Sequence, residues 1–322
     1  MQCCITTEPQ QGATYLDQLG LARAAEDLGF DGYFRSDHFV RTQGVGGQES
    51  GLPGPTDAWT TLAGLARDTT SIRLGTLVTS ATFRFPGVLA IIVAQVDQMS
   101  GGRAELGLGT GWNGDEHQRY GVPFPPTSIR FEKFAEQLEI IVGLWQTPVD
   151  KRYSFEGEHY AIRESPALPK PVQVPHPPII IGGAGRTKTP HIAACWADEF
   201  NLYGSLDGCK QQFGRVRTAC ERIGRDPATL KFSVSQLTIC GKNEAELDRR
   251  AAALGRMHAQ VVGKDVRPRP GDAELVGQPA EIVGQLLEFR AIGVERVYFQ
   301  ILDYTDIDHL RLIADEVVPY VR

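Results

Sequence analysis

Four short stretches hold residue types suited to chemistry on a bound small molecule. In Ser36-Asp37-His38-Phe39 a carboxylate precedes an imidazole. An imidazole titrates near neutrality, so His38 could both give and take a proton, with Asp37 orienting it or meeting a cofactor. A purely structural histidine at a strand end is the alternative. Residues 105–117, ELGLGTGWNGDEH, spell G-x-G-x-x-G through Gly109, Gly111 and Gly114, and Thr110, Trp112, Asn113, Asp115 and Glu116 fall in or beside the turn. Residues 182–187, GGAGRT, follow an apolar run and precede a helical pattern. Backbone N–H groups of Gly183, Ala184 and Gly185, with Arg186 and Thr187 added, would form an anion nest at a helix start; a tight turn without a ligand is the alternative. Val78-Thr79-Ser80 ends another apolar run, and Glu8 follows the first one. Glu8 and Asn113 are candidates for the pocket or for the surface.

The G-x-G-x-x-G stretch fits a Rossmann turn poorly. That turn opens a long helix in the first βαβ unit. Here Gly121, Pro123, Pro125 and Pro126 follow, so a helix from Asp115 is limited to about two turns. The stretch also comes fourth in the strand series. In a barrel the same glycines sit beyond a strand's C-terminal end, where active-site loops gather and a flat or anionic ligand can approach the backbone. Gly107 and Gly109 can equally be small residues in a crowded barrel interior.

The elements that position these stretches alternate along the chain. Apolar runs at 3–6, 32–39, 72–80, 103–109, 177–183, 198–204, 230–240 and 294–301 read as strands. Helical spacing marks 14–30, 57–69, 87–100, 129–146, 187–196, 206–224, 243–258, 279–292 and 306–320. In the first helix Leu16, Leu19, Ala22, Ala25 and Leu28 form the expected buried stripe. Alternation predicts a parallel sheet, and about eight strand–helix pairs predict an α/β fold, a (β/α)8 TIM barrel. One domain over residues 1–322 is expected, with insertions around 110–128, 147–177 and 260–278. The second carries YSFEGEHYAI and reads as a hairpin or loop.

Composition narrows the function classes. The 322 residues carry a net charge of −6, with 42% hydrophobic residues, which gives no reason to expect a nucleic-acid partner. Cys3, Cys4, Cys195, Cys209, Cys220 and Cys240 form no C-x-x-C, so no metal site is expected and a reducing, cytoplasmic location is. No 18-residue apolar run appears, so no membrane partner is expected.

Taken together, SDHF, LGTLVTSATFRFP, GRAELGLGTGWNGDEHQRYGVPFPP and PPIIIGGAGRTKTPHIAACWADEFN, in this order, resemble the luciferase-like monooxygenase superfamily. The resemblance is closest to its F420-dependent oxidoreductase branch and covers nearly the whole chain. It implies a luciferase-like barrel whose cofactor, coenzyme F420 or alternatively FMN, lies at the C-terminal mouth. The ring would lie against Leu77, Val78, Thr79 and Ser80, with a non-proline cis peptide joining Leu77 and Val78. Thr110, Gly111 and Asp115 would meet the ribityl chain or ring, and residues 183–187 the phosphate. His38 and Asp37 would be catalytic, and Glu8, Trp112 and Asn113 would face a small-molecule substrate. The resemblance also implies a homodimer formed through helices near 57–100. Sugar-phosphate dehydrogenases of this family carry a glutamate where this chain has Trp112, which argues against their substrate. The reading is therefore hydride transfer between F420 and a small organic substrate. An FMN-dependent two-component monooxygenase and a non-catalytic flavin-binding barrel are the alternatives.

Overall fold

The computed structural model describes residues 1–41, 54–262 and 274–322; at 255–262 it describes the helix backbone only. The strands in chain order are β1 (Gln2–Thr7), β2 (Gly32–Arg35), β3 (Arg73–Thr76), β4 (Thr79–Ser80), β5 (Ala104–Gly109), β6 (Tyr153–Glu156), β7 (Ala161–Ser165), β8 (Ile179–Gly182), β9 (Glu199–Tyr203), β10 (Lys231–Cys240), β11 (Glu274–Gly277) and β12 (Val294–Gln300). Parallel pairing runs β1-β2-β3-β5-β8-β9-β10-β12 and returns to β1. This is the expected closed (β/α)8 barrel, with helices packed outside it.

Side chains fill the barrel in layers. Cys4, Phe34, Ile180 and Tyr298 form one apolar layer with Leu77 against it. Beneath it lies an ionic layer. Arg296 donates to Glu105 at 2.7 Å and lies 2.9 Å from Glu199 Oε2, and the Tyr298 hydroxyl donates to Glu199 at 2.6 Å. Arg73 closes on Glu105 from outside. Buried carboxylates persist only with such partners, and the Arg296 and Arg73 guanidiniums outweigh burial and hold Glu105 below the usual carboxylate range.

Three sequence expectations are corrected. The third strand is interrupted: β3 and β4 flank a cis Leu77–Val78 peptide, the position the resemblance implied. Leu16 is 73% exposed and the helix Tyr15–Asp27 instead buries Gln18, Leu21, Ala22 and Ala25. Gln18 turns inward because its amide oxygen accepts from buried Arg35 at 3.1 Å. The insertion at 147–177 contains, as one of its two expected forms, the antiparallel hairpin β6–β7, together with cis prolines at Pro169 and Pro175. The third insertion ends earlier than expected, since Glu274–Gly277 pairs in parallel with β10; residues 263–273 lie outside the described residues. The run at 88–96 divides its faces: Leu89, Ala90, Val93 and Ala94 are buried, and Val88 and Ile91 are exposed. Among the described residues, no helix is long and apolar enough to cross a membrane.

Candidate active site

The C-terminal ends of β2, β4, β5, β8 and β9 surround a cavity of about 500 Å³, within the range of about 300–1,000 Å³ usual for small-molecule sites. Its lining brings together Asp37, His38, Leu77, Val78, Thr79, Ser80, Thr110, Gly111, Trp112, Gly183, Ala184 and Gly185 from four separate stretches. Glu8, Asn113, Asp115, Arg186 and Thr187 do not line it.

Glycines make the wall backbone-smooth. A Cβ on Gly107 would stand 2.0 Å from the Thr76 carbonyl oxygen, and one on Gly111, at φ +76°, would stand 2.3 Å from Ser80 Oγ. Gly107 is thus a packing glycine, whereas Gly111 leaves open the surface beside Ser80. On the far side Gly183 adopts φ +138°, a region closed to most side chains. Gln212 donates to the carbonyl oxygens of Gly183 and Gly185 at 3.2 and 2.8 Å, tying that side of the turn to the helix Leu206–Arg222. Arg186 and Thr187 point to solvent, and Thr187 caps the helix Lys188–Trp196 without a side-chain bond. Thr189, one turn on, lines the cavity in their place.

His38 has a different partner from the one its neighbour suggested. Its Nδ1 lies 3.0 and 3.1 Å from the two carboxylate oxygens of Glu116, which also accepts the Phe39 amide at 3.0 Å. Glu116 is 1% exposed. Burial pulls the imidazole pKa down, but the Glu116 hydrogen bond and the charges of Glu8, Glu116 and Asp37 outweigh it, leaving the pKa above 6.5. The Trp112 ring meets His38 edge-on, 5.6 Å between centroids, and is 64% exposed at the mouth.

Asp37 is committed to structure instead. Its carboxylate is ion-paired with Arg84, which also holds Asp57, and accepts from Thr79 Oγ1 at 3.0 Å. Trp59 donates to the same hydroxyl at 3.0 Å. This network locks β4 to the helix Ala58–Asp68, which Asp57 caps. Asp37 therefore borders the cavity and does not hydrogen-bond His38.

The short helix Gly114–Arg119 explains two other departures. Asn113 caps it by accepting the Asp115 amide at 3.2 Å, and Asp115 is exposed, 3.9 Å from Arg119. A local cap and a surface pair draw both side chains away from the cavity. His117 is fully buried. It links the Asn113 carbonyl (2.6 Å) to Thr82 Oγ1 (2.5 Å), which bonds Ser80 Oγ at 2.6 Å. Glu8 is held by the amides of Gln10 and Gln300, at 2.5 and 3.0 Å, and its charge reaches His38.

Sequence reasoning named Glu116 without pairing it and missed Arg84, Phe131, Thr189 and the β9 end, Asn201 to Tyr203. Asn201 and Tyr203 follow the rule already applied to other strand ends. Arg84, inside TFRFP, carried no signal.

The cavity suits a flat ring with an anionic tail. One wall is the β3–β4 bulge with Gly109 and Gly111, and the opposite end is a glycine turn opening a helix. A barrel of parallel strands with its polar groups and glycine cradle at one mouth is a ligand-binding enzyme scaffold. The luciferase-like monooxygenase model matches residues 2–296, and the chain belongs to that family. The F420-dependent glucose-6-phosphate dehydrogenase of Microbacterium testaceum (strain StLB037) is 35% identical over 167 residues, 51% of this chain and 46% of that protein. The chain thus spans about half the length of the dehydrogenases it matches. An FMNH(2)-dependent dimethylsulfone monooxygenase of Pseudomonas putida is 23% identical over 265 residues, 74% of this chain and 71% of that protein. The coenzyme F420-dependent tetrahydromethanopterin reductase of Methanopyrus kandleri has the same fold, with a TM-score of 0.81 at 18% identity over 100% of this chain and 99% of that one.

Proposed function

We propose that this chain is an oxidoreductase that uses a deazaflavin or flavin, and specifically that it transfers a hydride between coenzyme F420 and a small uncharged organic substrate. The observation that carries this reading is the His38–Glu116 pair beside a glycine-walled cavity of the right size for the ring. When bound, F420 supplies a hydride donor or acceptor that has no stable one-electron state. Leu77, Val78 and Thr79 would back the ring, Thr110 and Gly111 its ribityl chain, and Gly183, Ala184, Gly185 and Thr189 its phosphate.

The protein's own part is proton handling and exclusion of water. His38 Nε2, opposite the nitrogen held by Glu116, would exchange a proton with the substrate oxygen. Glu116 fixes the ring's orientation and stabilises its charged form. Trp112 would form the substrate wall and shield the reacting centre. The large, mostly apolar face that Trp112 offers beside His38 supports an uncharged substrate. Val88 (52% exposed) and Ile91 (46%) on the outer side of the helix Pro86–Ser100 support the homodimer reading.

FMN-dependent monooxygenation is the second reading, favoured by the longer match to the dimethylsulfone monooxygenase. Fluorescence titration of the cofactor-free chain with F420 and with FMN separates the two. The expected result is micromolar F420 binding with FMN at least about tenfold weaker, a difference of about 1.4 kcal/mol. The reverse order would move the chain to the FMN enzymes, and binding of neither would end both readings.

A further inference from the structure

The segment Ala81–Phe85 has two sides. One backs the candidate active site, through Thr82 on Ser80 and Arg84 on Asp37. The other borders a separate cavity of about 250 Å³, which shares no lining residue with the first. Its opposite wall is the helix Thr127–Gln146, on which Arg130, Lys133 and Gln137 recur at i, i+3 and i+7 and so share one face. Gln137 ties this face to the segment, donating to the carbonyl oxygens of Ala81 at 3.2 Å and Arg84 at 2.9 Å. Arg130 and Lys133 then stand at the cavity, among Phe83, Phe85, Val122 and Tyr160.

Both cations have unused donors. Arg130 is only 9% exposed. Its two terminal nitrogens donate to the Pro125 carbonyl at 2.6 Å and Thr127 Oγ1 at 3.2 Å, and its guanidinium lies 3.9 Å from the Phe124 ring centroid. Its Nε has no partner. The Lys133 ammonium lies 5.3 Å from the Tyr160 ring centroid and, among the described residues, has no carboxylate within ion-pair distance. Nearby acids are engaged elsewhere. Asp37 and Asp57 hold Arg84, and Glu136 accepts the amides of Glu158, His159 and Tyr160. Two cationic side chains at one cavity wall would give an anionic acceptor charge-assisted bonds.

We infer that this cavity is an anion subsite for a small organic carboxylate with an aromatic or branched apolar body. The carboxylate would lie between the Arg130 guanidinium and Lys133 Nζ, and the body against Phe83 and Tyr160. An inorganic anion would satisfy the cations and leave the apolar walls wet. Because the ligand would rest on the segment carrying Thr82 and Arg84, its occupancy would be felt through the Arg84–Asp37 pair at the residue beside His38.

Isothermal titration of the full chain with benzoate tests this. One saturable site is expected, with a Kd of about 1 mM for so small a ligand. Lys133→Met, at a half-buried position that leaves the core intact, should weaken binding at least about tenfold. Arg130→Lys, which keeps the charge and removes the planar guanidinium, should weaken it as well. Inorganic phosphate should bind at least about tenfold more weakly than benzoate. Absence of saturable benzoate binding up to about 50 mM would overturn the proposal, whether the cavity is unsuited or covered by a second copy. Unchanged affinity in Lys133→Met, or phosphate binding as tightly as benzoate, would overturn it too.

Discussion

His38 and Glu116 stand 78 residues apart and meet through one carboxylate. Their division of labour predicts different phenotypes. His38→Gln removes the proton carrier and should lower kcat by about 10²–10⁴-fold while cofactor binding persists. Glu116→Gln keeps the size and an acceptor oxygen but deletes the charge that raises the His38 pKa. The alkaline limb of the kcat/KM profile should therefore move to lower pH. A profile that keeps its shape in Glu116→Gln while overall rate falls would show that Glu116 only supports the loop. The Glu116 partnership was unreadable from sequence because Asp37 is adjacent to His38 in the chain, yet strand-end geometry turns Asp37 toward Arg84 and Thr79.

At the scale of elements, the glycines divide into those the barrel requires and those it tolerates. Gly107 faces the Thr76 carbonyl across β3–β5, and backbone cannot yield as a flexible side chain can. Gly107→Ala should destabilise by about 2–3 kcal/mol and weaken cofactor binding as the β3–β4 bulge shifts. Gly20, mid-helix with nothing within 4 Å of where a Cβ would stand, should gain about 0.5–1 kcal/mol as Ala. Urea unfolding of both variants checks the contrast. Strand and helix alternation made the barrel readable in advance, because parallel strands buried on both faces leave long apolar runs between amphipathic helices. The same cue misjudged boundaries where polar side chains turn inward. Gln18 displaced Leu16 from the buried face because Arg35 needed an acceptor, and β3 broke at a peptide geometry that no residue type announces. In the site, glycine and strand-end positions were readable. Hydrogen-bond partners were not, since capping and ion pairing at Asn113, Asp115 and Asp37 depend on which loops meet in space.

For the molecule as a whole, stability should fall in mild acid through one buried histidine. His309, 5% exposed, accepts the Cys240 amide at Nε2, 2.9 Å, and so fastens the helix Ile307–Glu316 to β10. Burial, with the nearby Arg250 charge, lowers its pKa from 6.5 to about 4. The unfolded chain binds the proton first, so the stabilisation is complete above about pH 6.5 and is lost as pH falls through about 4, some 3 kcal/mol in all. His309→Gln, which keeps an acceptor and cannot titrate, should flatten the urea midpoint between pH 7 and 4; an equal slope in both proteins would refute this. The layers inside the barrel carry a different consequence. Cys4, Phe34, Ile180 and Tyr298, above the Glu105–Arg296–Glu199 layer, seal the lumen from below. Among the described residues, the cavity opens at the mouth that Trp112 borders. A molecule resting on Leu77 and Val78 would be roofed by whatever followed it in, so the first guest to enter would be the last to leave.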